Sequence, residues 1–574
     1  MASHTGNARK GSNYPTMNAQ RPRRTLIVLI GIGALLTTAA FAPKGRLFEV
    51  TKHLEIFISV FEGVHTFYVE EPEPGTLMRV GIDAMLESLD PYTVYYPESR
   101  IEDLRFMSTG EYGGIGTMVN QIDGRTTIIE VHEGYPAHAA GIVAGDVVVA
   151  VDGKSLTDGM STEEVSSFLK GQSGTTAEIQ IERPGREELL NFEVERAQVR
   201  VDAVPYSGLL NDSTGYIYLS KFTRGSAQEV QEALVSLRDS LEIKQLVLDL
   251  RGNGGGLLRE SISIVNLFVP KGEDVVYTRG KDPARDKTYA CLNEPLAEDL
   301  PLIVLINEGS ASASEIVSGS LQDLDRAVVL GTESFGKGLV QQTKDMAFNT
   351  RLKVTISKYY TPSGRCIQRL DYGGHRDETG HAQQRADSLV SKFTTRGGRP
   401  VTDGRGVLPD LPIDLPYMSA FVDALYVEDL IFKYAVQWGA AHDSIGPAVE
   451  FQLADQDMAE FADFLDAQEF VFESMTKEMA DALGKLAEEE GVDALVAKEL
   501  EALRSGLDQD NATYLGLHKD EVQLAIEEEI VLHHHHAHGV LAFSLEHDPL
   551  IEWALKVFGP QADALLAGPG ASAE

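Results

Sequence analysis

Two short stretches of this 574-residue chain place reactive side chains among small residues that let backbone approach closely. The first, Gly309-Ser310-Ala311-Ser312-Ala313-Ser314-Glu315-Ile316, follows the apolar run Leu302 to Ile306. A strand running into small residues and then into Ser and Glu predicts a helix start. Unpaired N–H groups and the helix dipole favour developing negative charge there, so a serine at that place could be a nucleophile. The same pattern also describes plain capping, with Ser310, Ser312 or Ser314 as N-cap and a glutamate following. The residues alone leave both readings open.

A nucleophilic serine needs a base. The second stretch, Gly331-Thr332-Glu333-Ser334-Phe335-Gly336-Lys337-Gly338-Leu339-Val340-Gln341, offers a lysine. Gly331 and Gly336-Lys337 have phosphate-loop spacing, but that motif holds magnesium with Ser or Thr where Gly338 stands, so nucleotide hydrolysis is disfavoured. Lys337 can serve as general base if burial keeps its amine neutral. Gln341 would lie about 13 Å away in a straight strand but within reach across a bend, which Gly336 and Gly338 allow. A third cluster, His533 to His536 and His538, offers transition-metal ligands. On a helix His534 and His538 would share a face. No nearby cysteine or patterned carboxylate completes a site, so neither a metal nor another cofactor is expected.

Elements must hold these groups. From Ser207 to Pro412 strands alternate with helices: strands at Tyr216–Leu219, Gln245–Leu250, Leu302–Ile306 and Ala327–Leu330, helices at Ser226–Leu241, Leu257–Phe268 and Ala313–Leu324. That is an α/β layer domain. Residues 371–406 are polar and glycine-rich and read as an insertion or surface loop. Between Gly110 and Val199 the apolar period changes to two, as in Thr176 to Glu182 and Asn191 to Glu195, with one short helix at 162–170. This is a small β-rich module. Its run Tyr112-Gly113-Gly114-Ile115-Gly116 is either a plain turn or a nest of N–H groups for a peptide carboxylate beside an open strand edge.

On the N-terminal side, Leu47 to Leu89 has helical stripes (Phe57, Val60, Phe61, Val64, Phe67, then Leu77, Val80, Met85, Leu86, Leu89) meant for a core or a partner helix. After Pro416 the chain reads as acidic helix to about Phe558, then a Gly/Ala/Pro-containing tail. Leu26 to Ala42 is uncharged and 17 residues long, and follows the basic cluster Arg21-Pro22-Arg23-Arg24. An uncleaved membrane anchor with the remaining chain exported is expected; a cleaved signal is the second reading, since Pro43 obstructs cleavage after Ala40-Phe41-Ala42.

Hydrophobic residues make up 43% and charged residues 24%, as in globular chains. The formal charge is −37, from 87 acidic and 50 basic residues, which repels phosphate backbones and excludes nucleic acid as a natural partner. Only Cys291 and Cys366 are present, so no disulfide framework supports the fold.

Several motifs in order carry a resemblance. The Tyr112 to Gly116 loop, Tyr135-Pro136-Ala137-His138-Ala139-Ala140-Gly141-Ile142, Ala144-Gly145-Asp146 and Asp152-Gly153 are similar to a PDZ domain. The Ser310 to Ile316 and Phe335 to Gln342 segments resemble the carboxyl-terminal processing proteases, or tail-specific proteases. So do Leu248-Asp249-Leu250-Arg251-Gly252-Asn253-Gly254-Gly255-Gly256-Leu257, Tyr360 to Arg365, Gly406 to Asp410 and Leu89-Asp90-Pro91.

The resemblance implies an α/β multidomain protein: a crotonase-like α/β catalytic core with an inserted β-rich PDZ domain and helical N- and C-terminal regions. It implies Ser312 as nucleophile, Lys337 as base and Gln341 as the residue orienting Lys337. The oxyanion donors would be Ala313 with Gly255, Gly256 being the next choice, and Gly113, Gly114, Ile115 and Gly116 would bind the C-terminus of a protein or peptide substrate. The expected segments are a polar tail at 1–24, the anchor at 25–43, a helical region at 44–106, the PDZ domain at 107–199, the peptidase domain at 200–415 and the acidic helical region at 416–574. A site on the periplasmic side of the inner membrane follows, and a homo-oligomer is compatible. A noncatalytic PDZ adaptor is the alternative, but it need not retain Ser312, Lys337 and Gln341 together.

Overall fold

The computed structural model describes residues 44–567 apart from 157–159, 378–379, 416, 443 and 508. The expected tail and anchor (1–24 and 25–43) and the end of the chain from 568 lie outside the described residues. Among the described residues no helix is long and apolar enough to cross a membrane.

The chain divides after Met85 into two compact units. In the first, helices begin at Lys44 and at Pro74, separated by the acidic, proline-bearing stretch as the sequence predicts. The anticipated apolar stripe does not become a core: Phe57, Val60 and Phe67 are 47%, 60% and 84% exposed.

The second unit holds the layered domain. Its main sheet runs in the order Tyr206–Asn211, Thr214–Tyr218, Gln245–Asp249, Leu302–Ile306, Val328–Gly331, Leu411–Pro412. The first pair is antiparallel and the rest are parallel. Parallel strands covered on both faces need continuous apolar runs, and Leu302–Ile306 is buried at every residue. One face packs on the helices Ser226–Val235, Leu258–Val265 and Ala313–Asp323. The opposite face is covered from far along the chain: Leu550, Ile551, Ala554 and Val557 of helix Pro549–Val557 pack on Val247, Ile303, Leu305 and Val328. The C-terminal helical region is therefore one layer of the α/β domain as well as a body with its own core around Phe421, Tyr434, Phe461 and Ile526.

A second sheet joins Val94–Tyr96, Arg351–Tyr360, Asp274–Gly280 and Lys287–Ala290, with Leu339–Asp345 also paired to Arg351–Tyr360. The β-rich module forms an antiparallel sheet, Thr117–Ile122, Arg125–Val131, Val147–Val151, Thr176–Glu182, Leu190–Glu195, around a core including Ile128, Val148 and Ile179. Thr117–Ile122 ends that order, beside helix Thr162–Leu169. Glu111–Gly114 is not purely a loop as expected; it pairs with Ala197–Arg200 where the module joins the rest.

Residues 371–406 are not a plain surface loop. Leu370–Arg376 pairs with Ala382–Gln384, and Lys392–Thr394 with Pro400–Thr402. The second hairpin is held by ions as well as by its buried Val401: Arg399, 6% exposed, meets Asp325 at 2.7 Å and Asp410 at 2.6 Å. Its polar composition is what that anchoring requires.

Candidate active site

Ser310, Ser312 and Ser314 separate by where their hydroxyls go. Ser310 is fully buried, with Oγ donating to Leu250 O at 2.8 Å and accepting from Asn307 N–H at 3.0 Å. Ser314 is also fully buried and donates to Asn253 O at 2.7 Å. Ser312 alone of the three is partly exposed. It precedes helix Ala313–Asp323 with φ 54° and ψ −104°. A left-handed φ at a non-glycine residue costs of order 1–3 kcal/mol and persists only when its surroundings fix it.

Glu315 does the fixing. It is fully buried, and each carboxylate oxygen takes two donors. Oε2 accepts from Ser312 N–H at 2.7 Å and Lys337 N–H at 2.9 Å, and Oε1 from Gly336 N–H at 2.7 Å and Ser334 Oγ at 2.6 Å. Burial pushes its pKa up, while these four donors oppose the rise by favouring the charged form. Phe335 N–H donates to Ser310 O at 3.0 Å and Tyr359 Oη to Ser312 O at 3.0 Å, so the segment around Lys337 is sewn to the helix start at several points.

Lys337 is partly buried just before strand Leu339–Asp345. Burial, then the nearby Lys353 charge, lowers its pKa to about 8, against the opposing pull of Glu315 and Asp90. Its Nζ lies 4.0 Å from the centre of the Tyr92 ring. Asp90 shapes that ring's approach by accepting from Tyr92 N–H at 2.9 Å and Thr93 N–H at 2.8 Å. Gly338 is required by contact: a Cβ there would meet Gln368 N at 2.8 Å. Gln341 sits just past a register shift in the Leu339–Asp345 ladder, and its Nε2 donates to Thr355 Oγ1 at 3.2 Å. Among the described residues neither a Ser312–Lys337 nor a Lys337–Gln341 hydrogen bond is formed.

The glycine turn after Gln245–Asp249 lies against the serine. A Cβ on Gly255, whose φ is 95°, would fall 2.9 Å from Ser312 Cβ and 2.9 Å from Ala313 N. Gly255 N–H donates to Asn253 Oδ1 at 2.9 Å, within its own turn. Gly256, at φ 150°, bridges to Phe222. Ala313 N–H stands at a helix start, where no intrahelical acceptor exists.

At the other candidate site, Tyr112, Ile115, Gly116, Thr117, Val119, Ser166, Leu169 and Lys170 line a narrow cavity of ≈ 10 Å³ between the edge strand and helix Thr162–Leu169. The carbonyls of Ile115 and Gly116 accept from Ala137 and His132 N–H. Gly116 must be glycine, since a Cβ would meet Tyr135 Cβ at 2.5 Å.

The histidines have different partners. The helix Lys519–Glu546 breaks at His536 (φ 55°, ψ −168°), so the expected shared face of His534 and His538 is lost. His534 turns to Trp438, His536 to His138 of the β-rich module and His538 to Tyr206. Among the described residues no group of three or more His, Cys, Asp or Glu is placed to hold a metal.

Comparison with known proteins joins these parts. The chain matches the model of peptidase family S41 over residues 213–374. A carboxy-terminal-processing protease of Bartonella bacilliformis is 38% identical over 352 residues, covering 60% of this chain and 80% of that protein. This chain is a member of the carboxy-terminal processing protease family. Such a processing protease is a serine-type peptidase, and this one carries a PDZ domain, matched over residues 127–183. Residues 421–558 match the C-terminal helical domain of probable PDZ-proteases. A probable CtpA-like serine protease of Staphylococcus aureus is 31% identical over 360 residues, 60% of this chain and 71% of that one. The solved photosystem II D1 C-terminal processing protease is 25% identical, covering 64% of this chain and 94% of its own, at a TM-score of 0.35, too low to argue from.

Reading this processing protease from its sequence missed Glu315 as more than a cap, and it missed Tyr92 and Tyr359. The signal for Glu315 was its place three residues after Ser312, which is also the signature of an ordinary capping box.

Proposed function

We propose that the chain cleaves exported proteins by a Ser–Lys dyad after their free C-termini are recognised by the PDZ groove. Ser312 is the nucleophile and Lys337 takes its proton, forming an acyl-enzyme that water hydrolyses. Gln341 orients Lys337 once substrate has closed the site; catalytic hydrogen bonds often tighten only in the complex. Ala313 N–H and a backbone N–H of the Gly255–Gly256 turn receive the oxyanion. Because Gly255 N–H already serves Asn253, Gly256 is the better-suited second donor, or the turn shifts when substrate binds. Gly113, Gly114, Ile115 and Gly116 flank the carboxylate of the bound tail. The peptidase domain (200–415) is crotonase-like, with the PDZ domain (107–199) inserted between it and a helical region (44–106). Residues 25–43 anchor it so that the site faces the periplasm.

The observation that carries this reading is the single buried Glu315 carboxylate gripping the N–H groups of both Ser312 and Lys337. The test is cleavage of an unstructured protein by purified variants. Ser312→Ala should lose on the order of 10⁴-fold or more in kcat with Tm kept, while Ser310→Ala and Ser314→Ala should lose stability, about 1–3 kcal/mol each for a buried partner left unpaired, more than turnover. Wild-type rates for Ser312→Ala would refute the dyad. For the PDZ step, a substrate with an amidated C-terminus should bind at least about tenfold more weakly, having lost a charge-assisted hydrogen bond; equal binding of free and amidated tails would remove that step.

A further inference from the structure

The turn that holds Gly255 against Ser312 begins with Arg251, and that side chain meets two carboxylates, one two residues away and one 297 residues along the chain. Nη2 donates to Asp249 Oδ2 at 2.5 Å and to Asp548 Oδ2 at 2.6 Å, and Nε contacts both oxygens of Asp249 at 3.0 and 2.9 Å. Asp249 is 1% exposed and also accepts from the Tyr216 hydroxyl at 2.8 Å. Asp548 stands at the start of helix Pro549–Val557, with Oδ1 accepting Leu550 N–H at 2.8 Å. One oxygen of Asp548 thus caps a helix while the other holds the catalytic turn.

We propose that Asp548 is a positioning residue for peptide hydrolysis, acting through Arg251 to set the glycine turn beside Ser312; this rests on the reading of Ser312 and that turn given above. Asp249 ends the strand Gln245–Asp249, so it ties the guanidinium to the sheet at the point where the turn leaves it. Asp548, by contrast, belongs to the layer covering the far face of the sheet. It fixes the guanidinium relative to a separate rigid element. The turn needs such a fixture, because Gly252, Gly255 and Gly256 all have left-handed φ values and impose little of their own. The turn is held besides by Gly252 N–H donating to Asn307 Oδ1 at 2.8 Å, by Gly255 O accepting from Phe222 N–H at 3.2 Å, and by Asn253, which donates from Nδ2 to Leu219 O at 2.6 Å and whose carbonyl accepts from Ala311 N–H and Ser314 Oγ. Just beyond Asn253 the turn closes on Ser312: a Cβ on Gly255 would fall 2.9 Å from Ser312 Cβ. A displacement of about 1 Å there is enough to cost on the order of 10²-fold in rate.

The two duties of Asp548 can be divided by substitution in the full chain. Asp548→Ser keeps a capping oxygen but cannot reach Arg251. Asp548→Glu keeps the carboxylate for Arg251 but caps poorly. On short peptides, Asp548→Ser should lower kcat about tenfold or more with KM unchanged and Tm close to wild type. Asp548→Glu should lower Tm more yet retain more of kcat. Combining Asp548→Ser with Arg251→Gln should cost little beyond Arg251→Gln alone, because both break one linkage. Wild-type kcat in Asp548→Ser, or a loss of kcat that follows Tm across both variants, would leave Asp548 a helix cap only and overturn the proposal. These ratios are read with Ser312 intact, so they stand apart from the Ser312→Ala result that judges the dyad itself.

Discussion

The Ser312–Lys337 region and the histidine run near the C-terminus both concentrate reactive side chains, and they fold in opposite ways. Around Ser312, two segments meet because a fully buried carboxylate needs donors, and it finds them in Ser312, Ser334, Gly336 and Lys337. Among the histidines, each ring is satisfied separately. His533 pairs with Glu529 at 3.0 Å, His535 with Gly446 O at 2.8 Å, and the kink at His536 sends the others to three different elements. Density of reactive residues along the chain is therefore a poor guide to whether they share one partner. A buried polar group that must be satisfied is a better one.

The histidine run instead forms a seam. His138, Glu133, His534, His535, His536 and His538 surround a cavity of ≈ 510 Å³ between the PDZ domain and the C-terminal helices. Lys433 pairs with Asp123 at 2.8 Å across the same seam, and Gly145 lies so close to Val436 that a Cβ would come within 2.5 Å. The PDZ domain is gripped there by the same helical region whose last layer supports the catalytic sheet.

The sharpest way to break the contrast is Glu315→Gln. The amide keeps the shape but sets an NH₂ group against backbone N–H donors, leaving about 1–3 kcal/mol of unsatisfied polar burial for each displaced donor. Turnover should fall on the order of 10²-fold, with a lowered Tm, both read on the purified variant. Retained activity would mean that the carboxylate does not organise the two segments.

A smaller effect separates the regions by pH. Lys337 must be neutral to act as base, and its pKa lies near 8, so kcat on short peptides should rise as pH increases through about 8. Below that point it should fall about tenfold per unit, following the neutral fraction. Lys337→Arg should be inactive at every pH tested, because a guanidinium stays protonated. A flat profile between pH 6 and 9, taken as about two units below and one above the titration, would contradict Lys337 as base.

The smallest effect belongs to the seam. His534 and His536 are held below their ordinary 6.5, first by burial and then by neighbouring histidines: His533, His535, His442 and His536 for the first, His138 for the second. Glu133 and Glu130 pull His536 the other way. Depressed folded-state values mean that the opened or unfolded chain binds more protons. Their contribution is thus complete above pH 6.5 and is lost as pH falls through the lower folded values. Tm should drop by a few degrees on acidification below 6.5, and the double variant His138→Gln, His536→Gln should drop less. An equal acid-induced fall in the double variant would show that these rings do not carry it.

Much of the layered fold is legible locally. Leu302–Ile306 is the strand that its apolar run predicts, and Ala313–Asp323 ends one residue before the expected Leu324. The β-rich module follows its alternation at Thr176–Glu182. Period and turn residues determine these because strand and helix each place side chains by fixed local geometry. The order of motifs was also enough for the family.

Tertiary structure decided the rest. Nothing in three similar serines says which is exposed; the answer comes from Leu250, Asn253 and Asn307, which take up Ser310 and Ser314 and leave Ser312 partly open. No local rule sets a non-glycine residue at φ 54° or drives an acidic chain to bury Lys337 beside Lys353. The polar hairpin at 392–402 is folded inward by ion pairs to Asp325 and Asp410, whose positions depend on the sheet. Arg251 and Asp548, 297 residues apart, meet only because the helix Pro549–Val557 packs against the sheet. Local sequence fixes the conformation of short segments, whereas long-range burial decides which of their polar groups must find one another, and that pairing is what makes the site.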